Sequence, residues 1–119
     1  MTDTLCIIST KAPYDGQSAR EALDAALVAA SYDIPTALLL MGDGVYQIKT
    51  GQQPGQLPRK NLSAMFQALP LYGIETVYID QSALAERGLN EADLQPPYTC
   101  LTEDQLATLI QQHPKVLSF

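Results

Sequence analysis

The segment that decides the fold is "LCIIS", Leu5–Ser9, a continuous run of apolar and β-branched residues with one terminal serine. A strand with one solvent-exposed face alternates between apolar and polar side chains, whereas a strand buried on both faces is apolar throughout. The segment therefore predicts a central strand in a parallel sheet. Because parallel strands are joined by crossover connections, helices are expected between this strand and the next ones.

The residues that follow predict the first crossover helix. Ser18 and Glu21 have the S-x-x-E spacing of a capping box, so a helix is expected to begin at Ser18. Pro35 blocks its continuation, and "TALLLM", Thr36–Met41, predicts a second buried strand. The apolar stripe of the helix, spaced by three and four residues, consists of Leu23, Ala26, Leu27 and Ala30. Together these segments form a β-α-β unit.

The remaining chain continues this alternation. A helix is expected over about Leu62–Leu69 with an Asn61 cap, and a strand over Glu75–Asp80. A short helix from Ser82 should end at Gly88 in a left-handed conformation. The last expected elements are the strand-like "YTCL", a helix over about Glu103–Gln112 opened by a capping box of Thr102 and Gln105, and the strand-like "KVLSF". This order predicts one domain over residues 1–119, a three-layer α/β/α sandwich around a mainly parallel sheet of about five strands.

Composition excludes several classes of function. Seven basic residues against thirteen acidic ones give a net charge of −6, which opposes direct nucleic-acid binding. The longest apolar run is far too short to cross a bilayer, and no signal peptide is recognisable, so a soluble cytoplasmic protein is expected. Two distant cysteines and one histidine do not have the spacing of a zinc site. We therefore expect no metal and no cofactor.

A glycine-containing turn, Gly42–Gly44, follows the second strand, where ligands of open parallel sheets collect. It lacks the third glycine of a dinucleotide fingerprint, and Asp43 places negative charge where a phosphate needs donors. A sharp exit turn is the favoured interpretation. Val45 and Tyr46, which come next, either fold into the core of this chain or contact another subunit. Asp43, Val45 and Tyr46 are thus a possible subunit contact.

Five other residues are candidates for chemistry or docking. Cys6 lies inside the first strand and is expected to be core, whereas Cys100 precedes a helix and stays a minor candidate for a reactive thiol. His113, at a helix end before a proline, is expected at the surface. Arg59 and Lys60 form a small basic spot, expected to be a solvated turn or a docking point for an acidic partner.

The order of several motifs resembles a known family. "DGVYQIKTGQQP", "LYGIETVYIDQSALAERGL" and the final "KVLSF" are similar to the TusC/DsrF subunits of the DsrE/DsrF/DsrH-like sulfur-relay proteins. The likeness extends from the exit of the first strand to Phe119. It implies a flavodoxin-like α/β fold.

The resemblance also implies partners and a pathway. TusC/DsrF subunits assemble with TusB/DsrH-like and TusD/DsrE-like subunits, typically as a dimer of heterotrimers. Such a complex passes persulfide sulfur from a TusA-like donor to a TusE/DsrC-like acceptor. The product is the 2-thiouridine of the tRNA wobble position in one version and an intermediate of dissimilatory sulfur oxidation in the DsrEFH version. The sequence leaves both versions open.

The family's reactive position falls on Asp80. The resemblance implies a reactive cysteine in the TusD/DsrE subunit, at a strand end and eight residues before a glycine, and here Asp80 stands eight residues before Gly88. A carboxylate cannot attack or hold sulfur as a thiolate does. A helix N-cap is the favoured role of Asp80. The chain is therefore expected to be a non-catalytic subunit. The alternatives are an active sulfur carrier through Cys100 and a free-standing small-ligand protein that uses the Gly42–Gly44 turn.

Overall fold

The fold is a parallel sheet with helices on both faces. The computed structural model describes residues 5–12, 17–49, 61–94 and 98–119, and for residues 61–64 the backbone alone. The sheet has five strands in the order β4-β3-β2-β1-β5, and each neighbouring pair is parallel. The strands are β1 (Leu5–Ser9), β2 (Thr36–Leu40), β3 (Val77–Asp80), β4 (Tyr98–Leu101) and β5 (Lys115–Ser118).

In the part of the chain that the structure describes, four α-helices connect these strands. They are α1 (Ser18–Ser31), α2 (Asn61–Ala68), α3 (Gln81–Glu86) and α4 (Glu103–Gln111). The first three connections each place the next strand beside the previous one, from β1 through β2 and β3 to β4 at one edge of the sheet. The connection that contains α4 then returns across the sheet and places β5 on the other side of β1. The strand order therefore reverses at β1, which makes its carboxyl end a topological switch point.

The two faces of the sheet are covered unequally. On the first face, α1, α2 and α3 bury side chains against the strands in one apolar core, whose members include Ile7, Leu23, Leu38, Phe66, Ile79 and Leu84. On the second face, α4 inserts Leu106 against Cys6 and Leu39. Successive strand residues point to opposite faces, so β1 and β2 serve both cores and must be apolar throughout.

Most sequence expectations on the fold are confirmed. The five strands and the four helices lie where they are expected, with ends that differ by one or two residues. Thr102 and Gln105 form the expected capping box, and Gly88 has a φ of 67°. One expectation is wrong: Ser18 is the first residue of α1 rather than its cap, because Gln17 occupies the cap position and makes no side-chain hydrogen bond there.

Among the described residues, three short 3-10 helices were not anticipated, and one of them, Leu69–Tyr72, follows α2. Gly42–Ile48 forms a 3-10 helix of seven residues, here called the exit helix, where a turn is expected. Glu91–Asp93 forms a second 3-10 helix within the expected polar stretch, held by a capping box of Asn90 and Asp93. The basic spot at Arg59 and Lys60 and the Asn61 side-chain cap lie outside the described residues.

Candidate functional site

The exit helix packs tightly on the end of β1. Gly42 has a φ of 53°, in the left-handed region that glycine adopts without strain. Gly44 lies so close to β1 that a Cβ atom there would overlap the Ser9 carbonyl oxygen and stand 2.9 Å from the carbonyl carbon. Gly42 therefore serves the backbone angle of the turn and Gly44 its close packing on β1, which explains the pattern without a phosphate.

A buried glutamine locks this packing. Gln47 is only 3% exposed, and its Nε2 donates to the Ser9 hydroxyl at 2.7 Å and to the Lys11 carbonyl at 2.9 Å. The side-chain amide thus connects the exit helix with the residues that leave β1. Sequence reasoning missed Gln47, because a glutamine in a polar stretch has no pattern that distinguishes a buried bridge from a solvated side chain.

At the switch point, groups at the end of β1 form hydrogen bonds with the residue that follows β5. Thr10 donates from its backbone N–H and its hydroxyl to the Phe119 carbonyl, at 3.1 and 2.8 Å. The Phe119 N–H donates in turn to the Ile8 carbonyl at 2.8 Å. Doubly wound proteins bind ligands in this crevice. In the described part of the chain, Thr10, Gln47 and Phe119 make hydrogen bonds at this position, which favours a packing role for the Gly42–Gly44 turn over a ligand site.

Asp43 forms an ion pair with Arg87, which follows α3. Both residues lie at the carboxyl edge of the sheet, the edge at which the parallel strands end. The Nε and Nη2 atoms of Arg87 lie 2.9 Å from Asp43 Oδ1, and its Nη1 donates to the Ala83 carbonyl at 3.1 Å. The Arg87 side chain is 21% exposed and that of Asp43 is 58% exposed. The pair joins the exit helix to the end of α3. It also leaves one side of the Asp43 carboxylate open to solvent.

The two residues after the turn have different environments. Val45 is fully buried in the first core, so it packs within this chain and offers no surface to a partner. Tyr46 is half-buried. Of the three residues considered for a subunit contact, Val45 is therefore corrected to a core residue, and Asp43 and Tyr46 remain predictions.

Asp80 serves as the N-cap of α3. Its Oδ1 accepts hydrogen bonds from the Ser82 N–H at 3.1 Å and from the Ser82 hydroxyl at 2.8 Å. The side-chain oxygen thereby satisfies one of the free N–H groups of the first helical turn. The expected cap is confirmed, and it lies between the end of β3 and the start of α3. At this point the chain presents a carboxylate whose Oδ1 is committed to the cap.

The two thiols are placed differently, and they are not joined in a disulfide. Cys6 is fully buried in β1, in the core of the second face. Cys100 is partly buried in β4, and this burial raises its pKa. The negative charge of Glu91 and a hydrogen bond to that carboxylate raise the pKa further. A raised pKa keeps the thiol protonated, whereas sulfur transfer needs the thiolate.

His113 is not at the surface, contrary to expectation. The residue is 7% exposed, and its Nδ1 lies 2.6 Å from the Leu109 carbonyl oxygen. The ring turns back onto the last turn of α4, where it satisfies a carbonyl that the helix leaves without a backbone partner. The expectation that His113 lies at a helix end is correct. The direction of its ring, however, depends on the packing of α4 on the sheet.

Two kinds of feature are absent from the described residues. In that part of the chain, no three His, Cys, Asp or Glu side chains are grouped so that they could hold a metal ion. Nor does any helix among those same residues combine the length and the apolar character that a membrane crossing requires. Among the described residues, the carboxyl edge presents a capped aspartate and an Asp–Arg pair.

These features define an α/β protein whose carboxyl edge is built for packing. The model of the DsrE/DsrF-like family matches residues 3–119. A TusC homolog of Pseudomonas aeruginosa is 40% identical over 118 residues, which cover 99% of each chain. The intracellular sulfur oxidation protein DsrF of Allochromatium vinosum is 37% identical over 87 residues, or 73% of this chain and 64% of that protein.

A solved structure has the same fold. The YchN protein of E. coli superimposes with a TM-score of 0.85 and 26% sequence identity, and the match covers 100% of both chains. The chain belongs to the DsrE/DsrF-like family. Its relatives carry the names of sulfur-relay subunits, which agrees with the resemblance found in the motifs.

Proposed function

We propose that this chain is a non-catalytic subunit of a cytoplasmic sulfurtransferase complex of the TusBCD or DsrEFH type. In this role it holds TusB/DsrH-like and TusD/DsrE-like subunits in place, and the reactive persulfide forms on a cysteine of a partner. The complex receives sulfur from a TusA-like donor and delivers it to a TusE/DsrC-like acceptor. The observation that carries the proposal is Asp80, a carboxylate committed to capping α3 at the position of the family's reactive cysteine.

The state of the two thiols supports the same role. Cys6 has no solvent-exposed surface, so a donor protein cannot reach it without unfolding the first strand. Cys100 is more accessible, but burial and Glu91 raise its pKa and lower its thiolate fraction at neutral pH. An active carrier through Cys100 is therefore the weaker alternative.

Persulfide loading tests the proposal. The chain and its TusD-like partner are each incubated with a persulfidated TusA-like donor and analysed by mass spectrometry of the intact proteins. We expect the partner to gain one sulfur atom and this chain to gain none. A stoichiometric sulfur adduct on this chain that disappears in Cys100→Ser would contradict the non-catalytic role, whereas Cys6→Ser serves as the matched control.

The tRNA-thiolating version of the complex is the preferred pathway. The TusC homolog and this chain match over 99% of both lengths, whereas the match with DsrF leaves about a third of that protein uncovered. Deletion of the gene should therefore remove 2-thiouridine from tRNA hydrolysates, and Cys100→Ser should restore it as well as the wild type does. Unchanged 2-thiouridine in the deletion strain would favour the sulfur-oxidation version instead.

A further inference from the structure

Five exposed apolar side chains lie at the end of the sheet opposite to Asp80. They are Val28, Tyr32, Ile34, Leu71 and Tyr72, here called the amino-end patch. Leu71 is 87% exposed and Tyr32 is 76% exposed, which is high for large apolar or aromatic residues. Single exposed residues of this kind are ordinary, but a group of five needs a physical reason.

The topology brings these residues together. Val28 and Tyr32 lie on the outward side of the C-terminal part of α1, since Leu23 and Ala26 face the sheet. Leu71 and Tyr72 belong to the 3-10 turn Leu69–Tyr72, which follows α2 and precedes β3. The end of α1 and this turn both precede neighbouring strands, so both lie at the amino edge of the sheet, and α1 contacts the turn directly.

The size of the amino-end patch is that of an interaction surface. A tyrosine side chain offers roughly 200 Å², so Tyr32 alone exposes about 150 Å². The five residues together expose on the order of 500 Å², near the upper end of what monomeric proteins show. A covering surface would remove this apolar area from water and so stabilise the contact.

The charges beside the amino-end patch indicate the partner. Neither residues 28–34 nor residues 69–77 contain a lysine or an arginine, whereas they contain the exposed Asp33 and Glu75. Asp33 stands between Tyr32 and Ile34 and is exposed. A second copy of this chain, with a net charge of −6, would bring the same acidic border against it. A surface that covers the patch should therefore be apolar with a border of lysine or arginine.

We propose that the amino-end patch is the docking surface for one partner subunit with an apolar, basic-bordered face. This inference rests on the proposed function as a subunit of a sulfurtransferase complex. Because the patch lies at the amino edge of the sheet, the partner docked there leaves the carboxyl edge with Asp80 and Asp43 uncovered. The chain thus has one end for holding a subunit and another end free for the sulfur-relay side of the complex.

Lysine substitutions test the docking surface. Tyr32→Lys and Leu71→Lys each remove apolar area and place a positive charge against a basic border. Gln111→Lys, at an exposed position on α4, is the charge-matched control. Each form is co-expressed with the TusB- and TusD-like subunits from the same genome, analysed by native mass spectrometry, and titrated with the purified partners. Melting curves of the isolated variants check that each one is folded.

The expected result is a complex with wild type and Gln111→Lys, and at least tenfold weaker binding of one partner by Tyr32→Lys and Leu71→Lys. Binding of that partner should also weaken as salt concentration rises. If wild type assembles and the patch variants bind equally well, the docking surface is refuted and the proposed function stands. If wild type binds neither partner, both fail. A dimer of the isolated chain that is broken by Tyr32→Lys would identify a second copy as the occupant and would also refute the inference.

Discussion

Replacement of Gly44 by alanine should be the most damaging small substitution at the carboxyl edge. The new Cβ would overlap the Ser9 carbonyl oxygen and lie 2.9 Å from its carbon, where ordinary contacts begin at 3.4 Å. The obstacle is strand backbone, so the exit helix must move outward. That movement strains the two hydrogen bonds of Gln47, worth about 1 kcal/mol each, and loosens the buried Val45. We expect a loss of about 3 kcal/mol in the free energy of unfolding.

Urea denaturation of the isolated chain measures this loss, and another glycine provides the control. Gly88 has a φ of 67°, but a Cβ there meets no atom within 4 Å. Gly88→Ala should therefore lose only the left-handed backbone preference, about 1 kcal/mol. If Gly44→Ala is no more destabilising than Gly88→Ala, the close approach of the exit helix to β1 is not the reason for the glycine, and the packing argument is refuted.

Three further predictions concern the carboxyl edge and β4. Asp80→Ala should destabilise the chain by about 1 kcal/mol through the lost cap, whereas Asp80→Asn should retain most of the stability in the same denaturation assay. Arg87→Gln and Asp43→Asn should each cost about 1 kcal/mol, and a double-mutant cycle should show that their effects are not additive; additive effects would mean that the ion pair contributes nothing. Alkylation of Cys100 by iodoacetamide should accelerate at higher pH in the folded chain than in the unfolded one, and Glu91→Gln should lower that pH, because the Glu91 carboxylate raises the pKa of the thiol. Since the folded thiol binds its proton more tightly than the unfolded thiol, the free energy of unfolding should fall as pH rises past the ordinary thiol pKa.

Local patterns predicted the elements of the fold well. The apolar strand Leu5–Ser9, the capping box of Thr102 and Gln105, and the left-handed Gly88 are each decided by residues close together in the chain. The Asp80 cap belongs to the same class, because its partner is Ser82, two residues away. Where one side chain and a nearby N–H group are sufficient, sequence reasoning reaches the structure in these cases, whereas it failed for Ser18, since Gln17 takes the cap position of α1.

Long-range contacts escaped the same reasoning. Gln47 bonds to Ser9, which is 38 positions away, and Arg87 bonds to Asp43, which is 44 positions away. A polar side chain carries no local sign that it will be buried or paired at such a distance. The incorrect surface assignment of His113 has the same origin, since its burial depends on how α4 lies against the sheet.

The sequence alone determined the alternation of strands and helices, the family, and the absence of a thiol at position 80, because these follow from residue identity and short-range order. Only the tertiary structure decided the roles of the Gly42–Gly44 turn and its neighbours. It placed Gly44 against the carbonyl of Ser9, buried Val45 in the core of the chain, and gathered the amino-end patch from two separate segments. Those outcomes depend on which strands become neighbours, and strand order is set by packing over the whole chain rather than by any one segment.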